Sequence, residues 1–94
     1  MGEYLVLVRD FTDADCINRR MQVREKHLDN ARALMRKGHV INIGGALGDG
    51  DGKLVASALV CIADSEEQIK EVLESDIYVK NNVWDLSTLR ISKL

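Results

Sequence analysis

The sequence contains no proline, only two cysteines and no long run of apolar residues. Without proline no rigid linker marks a domain boundary, and 94 residues provide one hydrophobic core rather than two. We therefore expect a single domain over residues 1–94. A membrane span needs roughly 20 consecutive apolar residues. The apolar stretch near the N-terminus is much shorter and lacks the basic flank of a signal peptide.

The cysteines and the charge balance exclude further classes of protein. Cys16 and Cys61 are far apart, with no CxxC motif and no histidine at metal-ligand spacing. This pattern predicts reduced thiols in a cytoplasmic protein. The net charge of −2 provides no concentrated basic patch for nucleic acid. We expect neither a nucleic-acid nor a membrane partner.

Hydrophobic periodicity predicts alternating strands and helices along the chain. Alternating or short apolar runs indicate strands, and apolar residues that recur every three or four positions indicate helices. The predicted elements are a strand at 3–10, a helix from about 14 to 37 that ends at Gly38, strands at 39–47 and 54–63 joined by a Gly/Asp turn, a helix that begins at Asp64 or Ser65, a single turn at 75–82 and a strand at 83–94. This order predicts an α+β, ferredoxin-like βαββαβ fold with a four-stranded antiparallel sheet and two helices on one face.

The other face of such a sheet is bare in a monomer. The predicted strand at 54–63 carries apolar or small residues on both sides, so neither side resembles a charged solvent face. A contiguous apolar face of this size exceeds what a soluble monomer normally exposes. We therefore expect a two-fold homodimer that packs sheet against sheet, as in dimeric α/β barrels.

His27 lies at the edge of the apolar stripe of the long helix. That stripe consists of Ile17, Met21, Leu28, Ala31 and Met35. With Ile17 as its centre, His27 is about 80° away, on the border between core and solvent. A histidine there is commonly structural and hydrogen-bonded to a neighbour. The alternative role, a general acid or base, requires an orienting carboxylate.

Asp76 is the carboxylate whose position differs from the surface acids. It lies between Ser75 and the apolar pair Ile77 and Tyr78, so it is either a turn cap or the partner of a buried group. Ser57, in the middle of a strand, is placed to line a pocket. Tyr78 and Trp84 are more typical of core or dimer contacts than of ligand platforms.

Three separated motifs resemble the YCII-related family. They are RxxHL (Arg24, His27, Leu28), a G…DGK…S hairpin (Gly45, Asp51, Gly52, Lys53, Ser57) and SDxY (Ser75, Asp76, Tyr78). Each motif is short, but their order and spacing extend over nearly the whole chain. The family usually has proline where this chain has Ala46 and Ile77, so the backbone around the predicted pocket is less constrained here.

The resemblance implies a sheet-mediated dimer with an active site centred on a histidine–aspartate pair, here His27 and Asp76. Arg24 matches the arginine one turn before that histidine, and Ser57 the small polar residue of the third strand. Arg20 lies on the same side of the helix, and either arginine could anchor an anionic group. We count Arg24, Arg20, Ser57 and Tyr78 as candidate substrate-binding residues.

The predicted function is proton transfer by His27, of the isomerase or lyase type, without a cofactor, on a small anionic or cyclic metabolite. One alternative is a non-catalytic small-molecule-binding or dimeric interaction module in which His27 and Asp76 only hold the helices together. Another is a metal site, for which two ligands are too few. We expect no metal.

Overall fold

The computed structural model describes residues 1–36 and 41–94. The predicted helix end at Gly38 and strand start at His39 lie outside the described residues. The observed elements, in chain order, are β1 (Gly2–Asp10), α1 (Cys16–Arg36), β2 (Ile41–Gly48), β3 (Leu54–Ala63), α2 (Glu66–Glu74), α3 (Ile77–Lys80) and β4 (Trp84–Lys93).

The four strands form one antiparallel sheet in the order β2-β3-β1-β4. In β1 and β3, Val6 is opposite Leu59 and Val8 is opposite Ser57, so these four residues lie on the same face of the sheet. The predicted α+β, ferredoxin-like fold is confirmed, with α3 as an added single turn before the last strand.

The core lies between the helices and the face of the sheet that carries the buried positions of β1 and β3. Alternation along each strand selects this face, because successive side chains point to opposite sides. The buried apolar set is Tyr4, Val6, Val8, Cys16, Leu59, Cys61, Ala63, Ile69, Leu73, Tyr78, Val83 and Trp84. Asp10 is also buried, at the end of the buried series in β1.

The face that α1 presents to the core differs from the predicted apolar stripe. The fully buried residues of α1 are Cys16, Arg20 and His27, whereas Met21 is 53% exposed. His27 is only 7% exposed, so it lies inside the core boundary rather than on its edge. The prediction was wrong for Met21 and for the position of His27 because it used apolar residues alone, whereas Met35 of the predicted stripe packs against the core. Arg20 and His27 are buried because the protein provides their hydrogen-bond partners.

Side-chain caps define the two short helices. Ser65 is the N-cap of α2 and accepts from the Gln68 backbone N–H, while Gln68 Oε1 accepts from the Asp64 backbone N–H. Ser65, one of the two predicted starts, therefore caps the helix, and the Gln68 side chain reaches back to the residue before the cap. Asp76 is the N-cap of α3 and accepts from the Tyr78 backbone N–H at 2.9 Å.

The second face of the sheet carries a group of apolar side chains, with Arg90 and Ser92 of β4 opposite Leu7 and Leu5 on the same face. Leu5, Leu7 and Val60 belong to it, together with the exposed Leu47 of β2. Leu7 is 38% exposed and Leu47 is 43% exposed. In residues 1–36 and 41–94, no helix is long and apolar enough to cross a membrane.

Both cysteines lie within the described residues and are free, buried thiols. Burial raises the pKa of the Cys61 thiol to about 11 and also raises the pKa of Cys16 above its usual value. We expect neither thiol to react with Ellman's reagent near neutral pH until the protein unfolds. Rapid reaction of one thiol in the native protein would contradict this expectation.

The Cys61 thiol also predicts a loss of stability at alkaline pH. The folded state holds the Cys61 proton more tightly than the unfolded state does. The contribution of this thiol to the free energy of unfolding is therefore fully present below the unfolded pKa of 9.0 and is lost as pH rises toward about 11. The loss amounts to roughly 2–3 kcal/mol. Urea unfolding across this range should show a shallower decline for Cys61→Ala than for the wild type. Parallel curves would refute the assignment.

Candidate functional site

A cavity of about 410 Å³ lies between α1 and the β2–β3 side of the sheet. Its lining residues are Arg20, Arg24, His27, Leu28, Ala31, Arg32, Met35, Gly44, Gly45, Ala46, Ser57, Leu59 and Tyr78. From the part of β2 whose side chains the structure describes, Gly44, Gly45 and Ala46 line the cavity, and such small residues leave its space open. The cavity has the size of a site for a small metabolite.

His27 and Asp76 form a buried pair at the cavity. The His27 Nδ1 atom is 2.7 Å from Asp76 Oδ1, and the same oxygen accepts the Tyr78 backbone N–H. A carboxylate oxygen that accepts from two donors places the proton on Nδ1, which leaves Nε2 of a neutral imidazole as an acceptor. Asp76 therefore both caps α3 and orients the imidazole.

The Nε2 atom of His27 is accessible from the cavity. It makes no hydrogen bond within the described part of the chain. Because every buried side-chain nitrogen in that part has a hydrogen-bond partner, Nε2 is not among the buried atoms. The imidazole lines the cavity wall. One nitrogen is thus held by protein, and the other is open to a ligand.

Two aromatic rings fix the plane of the imidazole. The Tyr78 ring stacks on it with centroids 3.8 Å apart and an interplanar angle of 11°. The Trp84 ring meets it edge-on at 5.2 Å. Burial raises the pKa of the Tyr78 phenol, although Arg20 and Arg24 act in the opposite direction, so Tyr78 keeps its proton near neutral pH.

Arg20 lies in the cavity wall, and its guanidinium is bound to protein groups. Its Nε donates to Asp10 Oδ2 at 2.8 Å, and its Nη2 donates to Ser57 Oγ at 2.8 Å and to the Ala56 carbonyl at 3.1 Å. The guanidinium also lies over the Tyr78 ring, 4.8 Å from its centroid. These contacts hold Nε and Nη2 in the wall, whereas Nη1 has one long contact, 3.5 Å to the Tyr78 hydroxyl.

Arg24 is an arginine of the cavity wall that is available for an anion. Within residues 1–36 and 41–94 it has no salt-bridge partner, and Arg32 has only an exposed contact of 3.5 Å with Asp29. None of the described lining residues is acidic. The cavity is therefore basic, and it favours a negatively charged ligand.

The fold brings together the residues singled out from the sequence. Arg20, Arg24, His27, Ser57 and Tyr78 all line the cavity, and Asp76 lies behind His27.

Sequence reasoning missed Asp10, and it assigned Trp84 only to packing. Asp10 occupies the buried face of β1 after Tyr4, Val6 and Val8, so alternation alone indicates a carboxylate that needs a buried cation. No comparable pattern identifies the hydrogen bond from Trp84 Nε1 to Ser57 Oγ.

A metal centre at this pair lacks further ligands in the described ranges. No group of three or more His, Cys, Asp or Glu side chains in residues 1–36 and 41–94 is arranged to hold a metal ion.

Fold and cavity together define a class of small α+β proteins with a helix–sheet cavity that contains a histidine–aspartate pair. The chain belongs to the YCII-related domain family, and the match covers residues 3–90.

Relatives from fungal biosynthesis match over most of the chain. It is 33% identical to Fusaric acid biosynthesis protein 2 of Gibberella fujikuroi, over 97% of this chain and 90% of the relative. It is 30% identical to Aspercryptin biosynthesis cluster protein B of Emericella nidulans, over 95% of this chain and 60% of the relative.

A solved structure shares the fold. It is the 5-chloro-2-hydroxyhydroquinone dehydrochlorinase from Burkholderia phenoliruptrix in complex with 2,5-dihydroxybenzoquinone. The TM-score is 0.76 at 18% identity, and the similarity covers 98% of this chain and 92% of the other.

The contacts of the two arginines predict different effects on stability. Arg20→Leu leaves Asp10 buried without its cation, so we expect a loss of about 3–5 kcal/mol in the free energy of unfolding. Arg24→Leu is the matched control and should change it by less than about 1 kcal/mol. Urea denaturation measures both. Equal losses for the two variants would contradict the assignment of Arg20 to the wall.

Proposed function

We propose that this protein is a small cofactor-independent enzyme in which His27 transfers a proton on a small anionic, cyclic metabolite. The observation that carries the proposal is the 2.7 Å contact between His27 Nδ1 and Asp76 Oδ1, with Nε2 open to the cavity. This arrangement supports general acid–base chemistry because one nitrogen is oriented and the other is free to exchange a proton. The proposed location is the cytoplasm, which the two free thiols support.

In the proposed mechanism, Nε2 removes a proton from carbon or oxygen of the substrate. The imidazolium that forms is stabilised by the Asp76 carboxylate through Nδ1–H. In an isomerisation, Nε2 returns the proton to another atom of the same molecule. In an elimination, a leaving group departs with its electron pair, and the proton passes to solvent. Neither route moves electrons to an external acceptor, so the proposal includes no redox cofactor.

The charge of the cavity supports an anionic substrate. Arg24 is placed to bind a carboxylate or enolate oxygen while His27 acts on a neighbouring atom. Apolar side chains of Leu28, Met35 and Leu59 line other parts of the cavity and suit the faces of a small ring.

The comparisons are consistent with this chemistry. Two relatives carry names of biosynthetic proteins, and the structural neighbour is named for removing hydrogen chloride from a hydroxylated ring. Such a removal combines proton transfer with the departure of chloride. The chlorinated, hydroxylated ring in that name carries both exchangeable protons and a leaving group, so it is a suitable probe of the proposed chemistry.

We expect the wild-type protein to release chloride from 5-chloro-2-hydroxyhydroquinone, and His27→Gln to reduce the rate at least about 100-fold. Glutamine retains a hydrogen bond toward Asp76 but is no base near neutral pH. Chloride release by ion chromatography measures the rate, and the melting temperature checks folding.

Lys70→Gln on the exposed side of α2 is the control and should leave the rate unchanged. A His27→Gln variant with wild-type turnover would rule out catalysis by this histidine. Binding of the probe without any turnover by the wild type would instead favour the non-catalytic binding module.

We also propose that two copies of the chain associate through their apolar sheet faces. Along β1 this face carries Glu3, Leu5, Leu7 and Arg9. A two-fold axis through its centre would stack the leucines and bring Glu3 near Arg9 of the partner subunit. Along β1 the face is therefore complementary to itself in both apolarity and charge, and Arg90 of β4 lies beside Leu7 on the same face.

The dimer proposal predicts a dimeric mass by light scattering at micromolar concentration. Leu7→Asp should shift the protein toward the monomer because a charge would be buried between the sheets. Met21→Asp, on the exposed side of α1, is the matched control and should keep the wild-type mass. A monomeric wild type would refute the proposal.

A further inference from the structure

Ser57 stands out among the polar groups of the cavity because both of its acceptor positions are occupied by protein. Arg20 Nη2 donates to Ser57 Oγ at 2.8 Å, and Trp84 Nε1 donates to the same oxygen at 3.1 Å. Neither a guanidinium nor an indole N–H can accept a hydrogen bond. The hydroxyl hydrogen must therefore point elsewhere.

No protein acceptor for this hydrogen is found in the described ranges. Ser57 Oγ donates to no group in residues 1–36 and 41–94, although the side chain is only 4% exposed and lines the cavity. An unused hydroxyl donor on a cavity wall is available to a ligand.

Ser57 and His27 line the same cavity. The Trp84 indole that donates to Ser57 also contacts the imidazole of His27 edge-on. One ligand of metabolite size can therefore meet the Ser57 hydroxyl and His27 Nε2 together.

We infer that Ser57 is a fixed hydrogen-bond donor to an acceptor oxygen of the substrate, held in that role by Arg20 and Trp84. The substrate class is then a small ring or chain with an enolate, phenolate or carbonyl oxygen beside the position that exchanges its proton with His27. As that position loses its proton, charge moves onto the oxygen that Ser57 binds. This inference rests on the proposed function, because it takes the cavity as the substrate site.

The probe for this donor is 4-nitrophenolate, and nitrobenzene is its counterpart without the phenolate oxygen. We expect Ser57→Ala to weaken binding of 4-nitrophenolate about tenfold, as expected for loss of a hydrogen bond to a charged oxygen, and to leave binding of nitrobenzene unchanged. Isothermal titration gives both affinities, and the visible absorption of the phenolate reports its ionisation when bound.

A second variant distinguishes loss of the hydroxyl donor from loss of folding. Ser57→Ala removes the acceptor for two buried donors, so Ser57→Cys is measured beside it; the thiol keeps a similar volume but is a weak donor. The inference expects the same selective loss for 4-nitrophenolate.

Two results would overturn the inference, and they differ in what else they affect. Equal affinity of 4-nitrophenolate for the wild type and the folded Ser57 variant refutes the donor role and leaves the proposed proton transfer intact. A wild type that binds neither 4-nitrophenolate nor 2,5-dihydroxybenzoquinone refutes the anionic ligand of the proposed function, and the inference with it.

Discussion

The buried ion pair between Arg20 and Asp10 is the interaction on which the cavity depends. A guanidinium in a core is tolerated only where acceptors surround it, and here they come from three elements besides its own helix. Asp10 ends β1, Ser57 lies in β3, and Tyr78 belongs to α3. The position of α1 over the sheet is therefore constrained by charge pairing as well as by apolar packing. Any sideways movement of the helix would separate charges that water cannot reach.

The two carboxylates of the core have different effects on their partners. Asp10 binds an arginine whose Nε and Nη2 are both directed to protein atoms, so the pair stabilises the wall. Asp76 binds a histidine through one nitrogen only, and the other nitrogen faces the cavity. A buried side-chain pair becomes a candidate for chemistry when one of its groups keeps an accessible atom, and His27 Nε2 makes no hydrogen bond within the described part of the chain.

The backbone at Asp76 shows how this chain fixes its carboxylate without the proline usual in the family. Proline at position 77 would restrict the preceding residue to extended backbone. Asp76 has φ −70° and ψ 143°, which is that same conformation, although Ile77 follows it. The Asp76 side chain holds the turn itself by accepting the Tyr78 backbone N–H. The cap of α3 and the orientation of the His27 imidazole thus depend on the same oxygen atom, Asp76 Oδ1.

The order of strands and helices was determined by the sequence alone, because alternation in β1 and β3 and the cap at Ser65 are local properties that need no distant partner. The choice of His27 and Asp76 rested on short motifs and on their resemblance to a family. Only the tertiary structure decided which side of α1 is buried, because burial of Arg20 and His27 depends on acceptors supplied by strands and turns remote in sequence. For the same reason, only the tertiary structure shows that Arg20, a possible substrate anchor by sequence, is bound to Asp10 and Ser57 in the cavity wall. The two donors to Ser57 Oγ are likewise a tertiary feature, since Trp84 and Arg20 meet at that oxygen only once the sheet has formed.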